Sequence, residues 1–173
     1  MAVTRFPSYL RLIGPGATAA TPGRTPTRIH PELLAEADRD PVTGAATREA
    51  LLARLEMVGS LAPAMPLSFV AVHLEGGESE RAELLRAVAG RVRELTRPTD
   101  AVGRLDHETI GVVLQGTGAT AAGPVAARLA HHLNHMAGAP RGLSVTVSAA
   151  TGTGVNAAPL PAAALDSFAG ACG

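Results

Sequence analysis

At 173 residues the chain is long enough for one ordinary domain and a tail, and a content of 46% hydrophobic but only 2% aromatic residues means a core of Leu, Val, Ile and Ala. Fifteen basic residues, every one an arginine, balance fifteen acidic ones, so a net charge of zero offers no bulk grip on nucleic acid or an acidic membrane surface. The lack of lysine excludes a P-loop and any other mechanism needing an ammonium group, and no apolar run reaches the roughly 18 residues of a membrane helix.

The first residues, MAVTRFPSYLRLIGPG, contain no continuous apolar stretch followed by a cleavage signal and are not read as a signal peptide. Phe6, Tyr9, Leu10, Leu12 and Ile13 form a small apolar cluster that reads as a docking peptide, a short arm on the domain, or disordered chain. Residues 14–27 (GPGATAATPGRTPT) lack any hydrophobic period and read as a flexible linker. Residues 1–30 are therefore expected to be a flexible N-terminal segment and linker, and residues 31–173 the domain. The single cysteine, Cys172, cannot form an internal disulfide, and the expected location is the cytoplasm.

From Pro31, Leu33, Leu34 and Ala37 follow helical spacing that ends near Asp40 and Pro41. Thr47 is placed to cap a second helix over residues 48–59, with Leu51, Leu52, Leu55 and Val58 on one side. Pro63 and Pro66 break it, and residues 67–74 (LSFVAVHL) read as a buried strand. After a charged, glycine-containing turn over 75–80, residues 83–95 carry Leu84, Leu85, Val88, Val92 and Leu95 at helical spacing. A hairpin is expected next, residues 101–104 running into 109–114 through a turn at 105–108. Residues 121–136 read as a helix, 143–149 (LSVTVSA) as an alternating strand, Gly152 and Gly154 as a turn, and 161–171 as a last short helix. This order predicts an α/β (α+β) sandwich, with helices packed on one sheet.

The stretch R-L-D-H-E-T-I-G-V-V-L at residues 104–114 resembles the R-x-G-G-D-E-F-x-x-L-L signature of the diguanylate cyclase (GGDEF) domain. Further segments resemble that family in its own order. D-P-V-T-G at 40–44 with Thr47-Arg48 resembles D-x-L-T-G-x-x-N-R, L-R-A-V-A at 85–89 resembles L-x-x-V-A, and V-T-V-S at 145–148 resembles V-T-x-S. Arg97 and Asp100, followed by Arg104, resemble R-x-x-D-x-x-x-R. The resemblance spans about residues 32–170 and implies a nucleotidyl cyclase-like fold: a central mixed, mainly antiparallel sheet with flanking helices.

It also implies a site whose parts are altered. The signature glycines, which let a backbone approach a triphosphate without a Cβ in the way, are replaced by Asp106 and His107. The metal-binding aspartates align with His73 and Glu75, and imidazole is a poor ligand for magnesium. Glu108 keeps one acid, Thr109 replaces the next, the phosphate lysine is missing, and the guanine-reading loop is shortened. Phosphoryl transfer rests on positioned metals and charge neutralisation, so no catalytic residue, resident metal or cofactor is expected. The R-x-x-D pair, which in the family binds cyclic di-GMP, implies a ligand site at Arg97 and Asp100. Arg93, Arg104 and Arg128 are candidates for its further arginines, because an arginine fork pairs bidentately with phosphate or a guanine edge. Arg97 and Asp100 also read as a helix end and a turn in which Asp100 caps local amides.

The expected function is a catalytically inactive signalling module acting through a protein partner or self-association, with cyclic di-GMP as its ligand at the R-x-x-D pair and with no nucleic acid or membrane partner. The alternative is a residual metal- or nucleotide-dependent enzyme using His73, Glu75 and Glu108, with His107 converging on them. His131, His132 and His135 form H-H-x-x-H on a helix and read as an exposed polar face, or as a zinc or nickel chelate through His131 and His135.

Overall fold

The most apolar run of the chain lies at the middle of the sheet. The computed structural model describes residues 10–13, 36–76, 80–137 and 143–169; the linker at 14–27 and Phe6, Tyr9, Leu33, Leu34 and Cys172 lie outside them. Strand β2 (Pro66–Glu75) is hydrogen-bonded on both sides, to β4 (Thr109–Gln115) and to β5 (Ser144–Thr153), and β3 (Ala101–Arg104) pairs with β4. These four strands are antiparallel. A fifth, β1 (Leu10–Ile13), lies parallel to β5, giving the order β1-β5-β2-β4-β3. Part of the expected flexible segment is therefore an edge strand.

Helices cover both faces of the sheet. Val70, Val72 and Leu74 of β2 join a core with α2 (Arg81–Leu95) and α3 (Ala119–Asn134). Leu67, Phe69 and Ala71 face α1 (Arg48–Leu61) and α4 (Leu160–Ala169). Successive side chains of a strand point to opposite faces, so burying both faces removes the polar half of the alternation. That is why β2 reads as an unbroken apolar run.

The local signals act as expected in α1. Thr47 adopts an extended conformation and its hydroxyl accepts from the Ala50 amide at 3.2 Å, capping the helix. Leu51, Leu55 and Val58 are buried, whereas Leu52 is only half-buried. Of the helical segment expected from Pro31 to about Asp40, residues 31–35 lie outside the described ones, and Glu36–Asp38 form a short 3-10 turn followed by the tight turn at Asp40. Strand β5 runs to Thr153, past the expected end at residue 149, and Gly152 pairs with Leu67 inside the ladder. The small residues of A-A-T-G-T carry no alternation to read, yet their backbone pairs as well as any other. Gly154 opens a 3-10 turn that leads to α4.

The β3–β4 pair packs unusually close to α1. Gly103 and Gly111 face each other across the ladder, and a Cβ on Gly111 would lie 2.7 Å from Leu51 Cδ2 and 2.8 Å from Phe69 Cζ. These glycines let Leu51 rest on the sheet above Phe69, which holds α1 against the signature hairpin.

Candidate functional site

The D-P-V-T-G segment builds a tight turn. The Asp40 Oδ1 accepts from both the amide and the hydroxyl of Thr43 at 2.8 Å, the Gly44 amide donates to the Asp40 carbonyl at 2.8 Å, and Gly44 takes a φ of 64°. Positive φ costs a residue with a Cβ, which explains the glycine. Beyond the turn, Ala46 bridges to Gly103 on the outer edge of β3. Arg104 fastens the turn to the hairpin, its Nη1 lying 3.3 Å from Asp40 Oδ2 and its Nε donating to the Asp106 carbonyl at 2.8 Å.

Burial raises the Asp40 pKa, but the Thr43 hydrogen bonds and the Arg104 charge outweigh it, and the carboxyl titrates below its ordinary value. The stabilisation is thus fully present above the pKa of the unfolded chain and is lost as pH falls through the lower folded value. Asp40→Ala should cost about 1–3 kcal/mol at neutral pH. Urea unfolding of both proteins should show the difference shrinking below about pH 4.

The hairpin turn is held by side-chain chemistry instead of a left-handed residue. Among the described residues no non-glycine residue has positive φ, and the Asp106 carboxylate accepts from the Glu108 amide at 2.8 Å. An aspartate bonding the amide two residues on is a self-contained turn. The Glu108 carbonyl then accepts from the Leu74 amide at 2.9 Å, anchoring the turn to the end of β2.

Behind the turn, Arg81 at the first position of α2 donates to the Leu74 carbonyl at 3.1 Å and reaches Glu108 Oε1 at 3.4 Å. His73 is half-buried, 3.3 Å from the Thr109 hydroxyl and 4.0 Å from Glu108, with its ring 5.2 Å from that of Phe168. His107 is exposed and lies 3.8 Å from Glu108. Glu75 is an exposed residue at the strand end, so the expected four-residue convergence is not formed. Among the described residues no cluster of three or more ligating side chains is arranged to hold a metal ion. These residues do not fit the divalent cations of a cyclase: a guanidinium already pairs with Glu108, and the neighbouring groups are imidazoles and a hydroxyl.

A different place gathers charge. A cleft of about 600 Å³ lies at the β3 edge, between the Asp40 turn, α1 and the end of α2. Among the described residues it is lined by Arg39, Arg54, Arg93 and Arg97, against two carboxylates, Asp38 and Asp100, with Met57, Ala53 and Val102 supplying apolar surface. That size suits a small-molecule ligand, and the excess of guanidinium groups suits an anion.

The R-x-x-D pair divides its roles. The Asp100 Oδ2 accepts from the Arg97 amide at 3.0 Å and its Oδ1 from the Gln115 amide at 3.2 Å, so this carboxylate caps the turn and ties it to β4. Arg97 is exposed and lines the cleft. Arg93 lines it too, steadied at 3.1 Å on the Gly44 carbonyl. Arg104 and Arg128 do not line it: the first is fastened to Asp40 and Asp106, and the second donates to the Leu95 carbonyl at 2.9 Å.

Arg39, Arg54 and Arg81 were not expected as site residues. Arg54 stands two turns into α1 on the side of Ala50 and Met57, a helical spacing visible in sequence once that face is known to border a cleft. His131 and His135 are exposed, with ring centroids 4.5 Å apart and His135 Nδ1 2.7 Å from the His131 carbonyl.

Fold and site together define a two-faced antiparallel domain with an altered signature hairpin and a separate arginine-lined cleft. The chain belongs to the GGDEF family: the family model, diguanylate cyclase GGDEF domain, matches residues 37–164. No curated protein matches it. Among solved structures it is similar to the GGDEF domain of FimX from Pseudomonas aeruginosa, with 21% identity, a TM-score of 0.61, and coverage of 79% of this chain and 96% of that one. It is also similar to the GGDEF domain of DgcB from Caulobacter crescentus in complex with c-di-GMP, with 14% identity, a TM-score of 0.65, and coverage of 83% and 94%. A third similar structure is the diguanylate cyclase SiaD in complex with its activator SiaC, from Pseudomonas aeruginosa, with 21% identity, a TM-score of 0.62, and coverage of 76% and 58%. At these identities the likeness is one of fold. Among the described residues no helix is long and apolar enough to cross a membrane.

Proposed function

We propose that this domain is a receptor module without cyclase activity, which binds cyclic di-GMP in the arginine-lined cleft and acts through contact with another protein. The observation that carries this reading is the cleft, where Arg39, Arg54, Arg93 and Arg97 face a space of about 600 Å³. A cyclic dinucleotide brings two phosphodiester charges and two flat bases, matching a guanidinium-rich rim with an apolar floor.

The altered hairpin supports the loss of cyclase chemistry. Asp106 adds a negative charge beside Glu108, Thr109 hydrogen-bonds an imidazole, and Arg81 occupies the counter-charge position at Glu108. The DgcB domain solved with c-di-GMP and SiaD solved with its activator give structural parallels for both halves of the proposal.

Incubation with GTP and either magnesium or manganese, followed by chromatography for cyclic di-GMP, should give no product. Product that grows in proportion to protein concentration, and that disappears in an Arg81→Ala, Glu108→Ala variant, would restore the domain to the cyclases.

A further inference from the structure

We propose that His131 and His135, at the C-terminal turn of α3, form a chelate for one divalent ion of the nickel or copper class. His131 lies in the last turn of the helix and His135 is its C-cap. Four positions apart, the two share one helix face. Both are exposed, with ring centroids 4.5 Å apart and planes inclined by 34°.

The His135 ring is prepared as a ligand. A carbonyl has no proton to give, so the 2.7 Å contact between His135 Nδ1 and the His131 carbonyl makes Nδ1 the donor. The neutral ring then carries its lone pair on Nε2, the atom left for a metal. Donation of the second ring nitrogen to a carbonyl is the usual support of a ligating histidine. The backbone between the two imidazoles is held as well. Leu133 is completely buried, and Asn134 clamps the start of β5, its Nδ2 donating to the Val145 carbonyl at 2.9 Å and its Oδ1 accepting from the Val145 amide at 3.0 Å. The turn is therefore ordered before an ion arrives, which lowers the cost of binding.

The spacing of the rings points to the ion. A metal–nitrogen bond of ~2.1 Å puts a coordinated imidazole's centroid ~3.2 Å from the ion, so rings in adjacent positions at a right angle stand ~4.5 Å apart. Tetrahedral positions would separate them by ~5.2 Å. Right-angled positions belong to the square or octahedral shells of copper(II) and nickel(II), and imidazole affinity rises toward those ions along the first-row series. Magnesium and calcium take oxygen donors instead. Water fills the remaining positions of the exposed site. His132 is a built-in control: its ring stands edge-on to that of His131 with centroids 5.5 Å apart, and neighbours in sequence do not share a helix face.

Calorimetric titration of the full-length, untagged chain with nickel(II) chloride tests this, in a Cys172→Ser background so that the native thiol takes no metal. One nickel ion should bind per chain, and magnesium should give no heat. His131→Ala and His135→Ala should each weaken nickel binding by about 10-fold or more, and His132→Ala should leave it within about 3-fold. Nickel should raise the unfolding temperature of the parent and of His132→Ala, and should do so much less in the other two variants. Because both ligands are exposed, their replacement leaves the metal-free domain folded, and the metal-free unfolding temperature checks this. No nickel binding would overturn the chelate. Binding that weakens equally with His132→Ala, or survives loss of His131 and His135, would mean an adventitious ion only. Zinc binding tighter than nickel would overturn the right-angled geometry.

Discussion

Phe69→Ala should lower the unfolding free energy by about 3–5 kcal/mol, read as a fall in the urea midpoint with an unchanged slope. Phe69 is completely buried at the centre of β2, on the face shared with α1 and α4, beneath Leu51 and against the bare Cα of Gly111. The other phenylalanine packed against this cluster, Phe168, is only partly buried and stacks near the His73 ring. A domain of this kind is stable by about 5–15 kcal/mol, so the loss is a large share of the total. The cavity would open under α1, whose Arg54 lines the cleft, and ligand binding should weaken alongside stability. A change below about 1 kcal/mol would mean that the core repacks around the missing ring and that α1 is not fixed by it.

The second large effect concerns the cleft and rests on the proposed ligand. Arg54→Ala and Arg97→Ala should each weaken cyclic di-GMP binding by about 10- to 100-fold, from ~1.5–3 kcal/mol for a hydrogen bond to a charged group. Arg104→Ala separates this account from one in which any arginine near the signature suffices. Arg104 holds Asp40 and the Asp106 carbonyl and does not line the cleft, so its loss should reduce stability and leave affinity within a few-fold. Equal losses of affinity from all three substitutions would place the ligand elsewhere. Asp100→Ala is a poor probe of binding, because both carboxylate oxygens already accept backbone amides and its removal disturbs the turn.

Much of the fold could be read from residue patterns because the signals were local. Thr47 before an apolar helical face, Pro63 before β2 with Pro66 at its first position, and the short gap between β3 and β4 each specify an element within a few residues. The strand extension at residues 150–153 carried no such signal, since backbone pairing leaves no trace among alanines, glycines and threonines. The parallel docking of Leu10–Ile13 on β5 is a long-range pairing that periodicity does not encode.

The site divides in the same way. The altered residues of the hairpin were visible because they replace a known pattern in a contiguous run. The cleft was visible in part: Arg93, Arg97 and Asp100, named from the R-x-x-D resemblance, line it, whereas Arg39 and Arg54 come from the Asp40 turn and α1 and share no spacing in sequence with them. Arg104 resembled a ligand residue by position alone. Its engagement with Asp40 depends on the approach of two segments 64 residues apart.

Calorimetric titration of the purified full-length chain with cyclic di-GMP, with GTP as the comparison ligand, tests the central claim most directly. The account predicts saturable binding of cyclic di-GMP in the micromolar range, lost in an Arg54→Ala, Arg97→Ala double variant that keeps the wild-type unfolding midpoint. Absence of heat with cyclic di-GMP across that range, or binding that survives the double substitution unchanged, would contradict it.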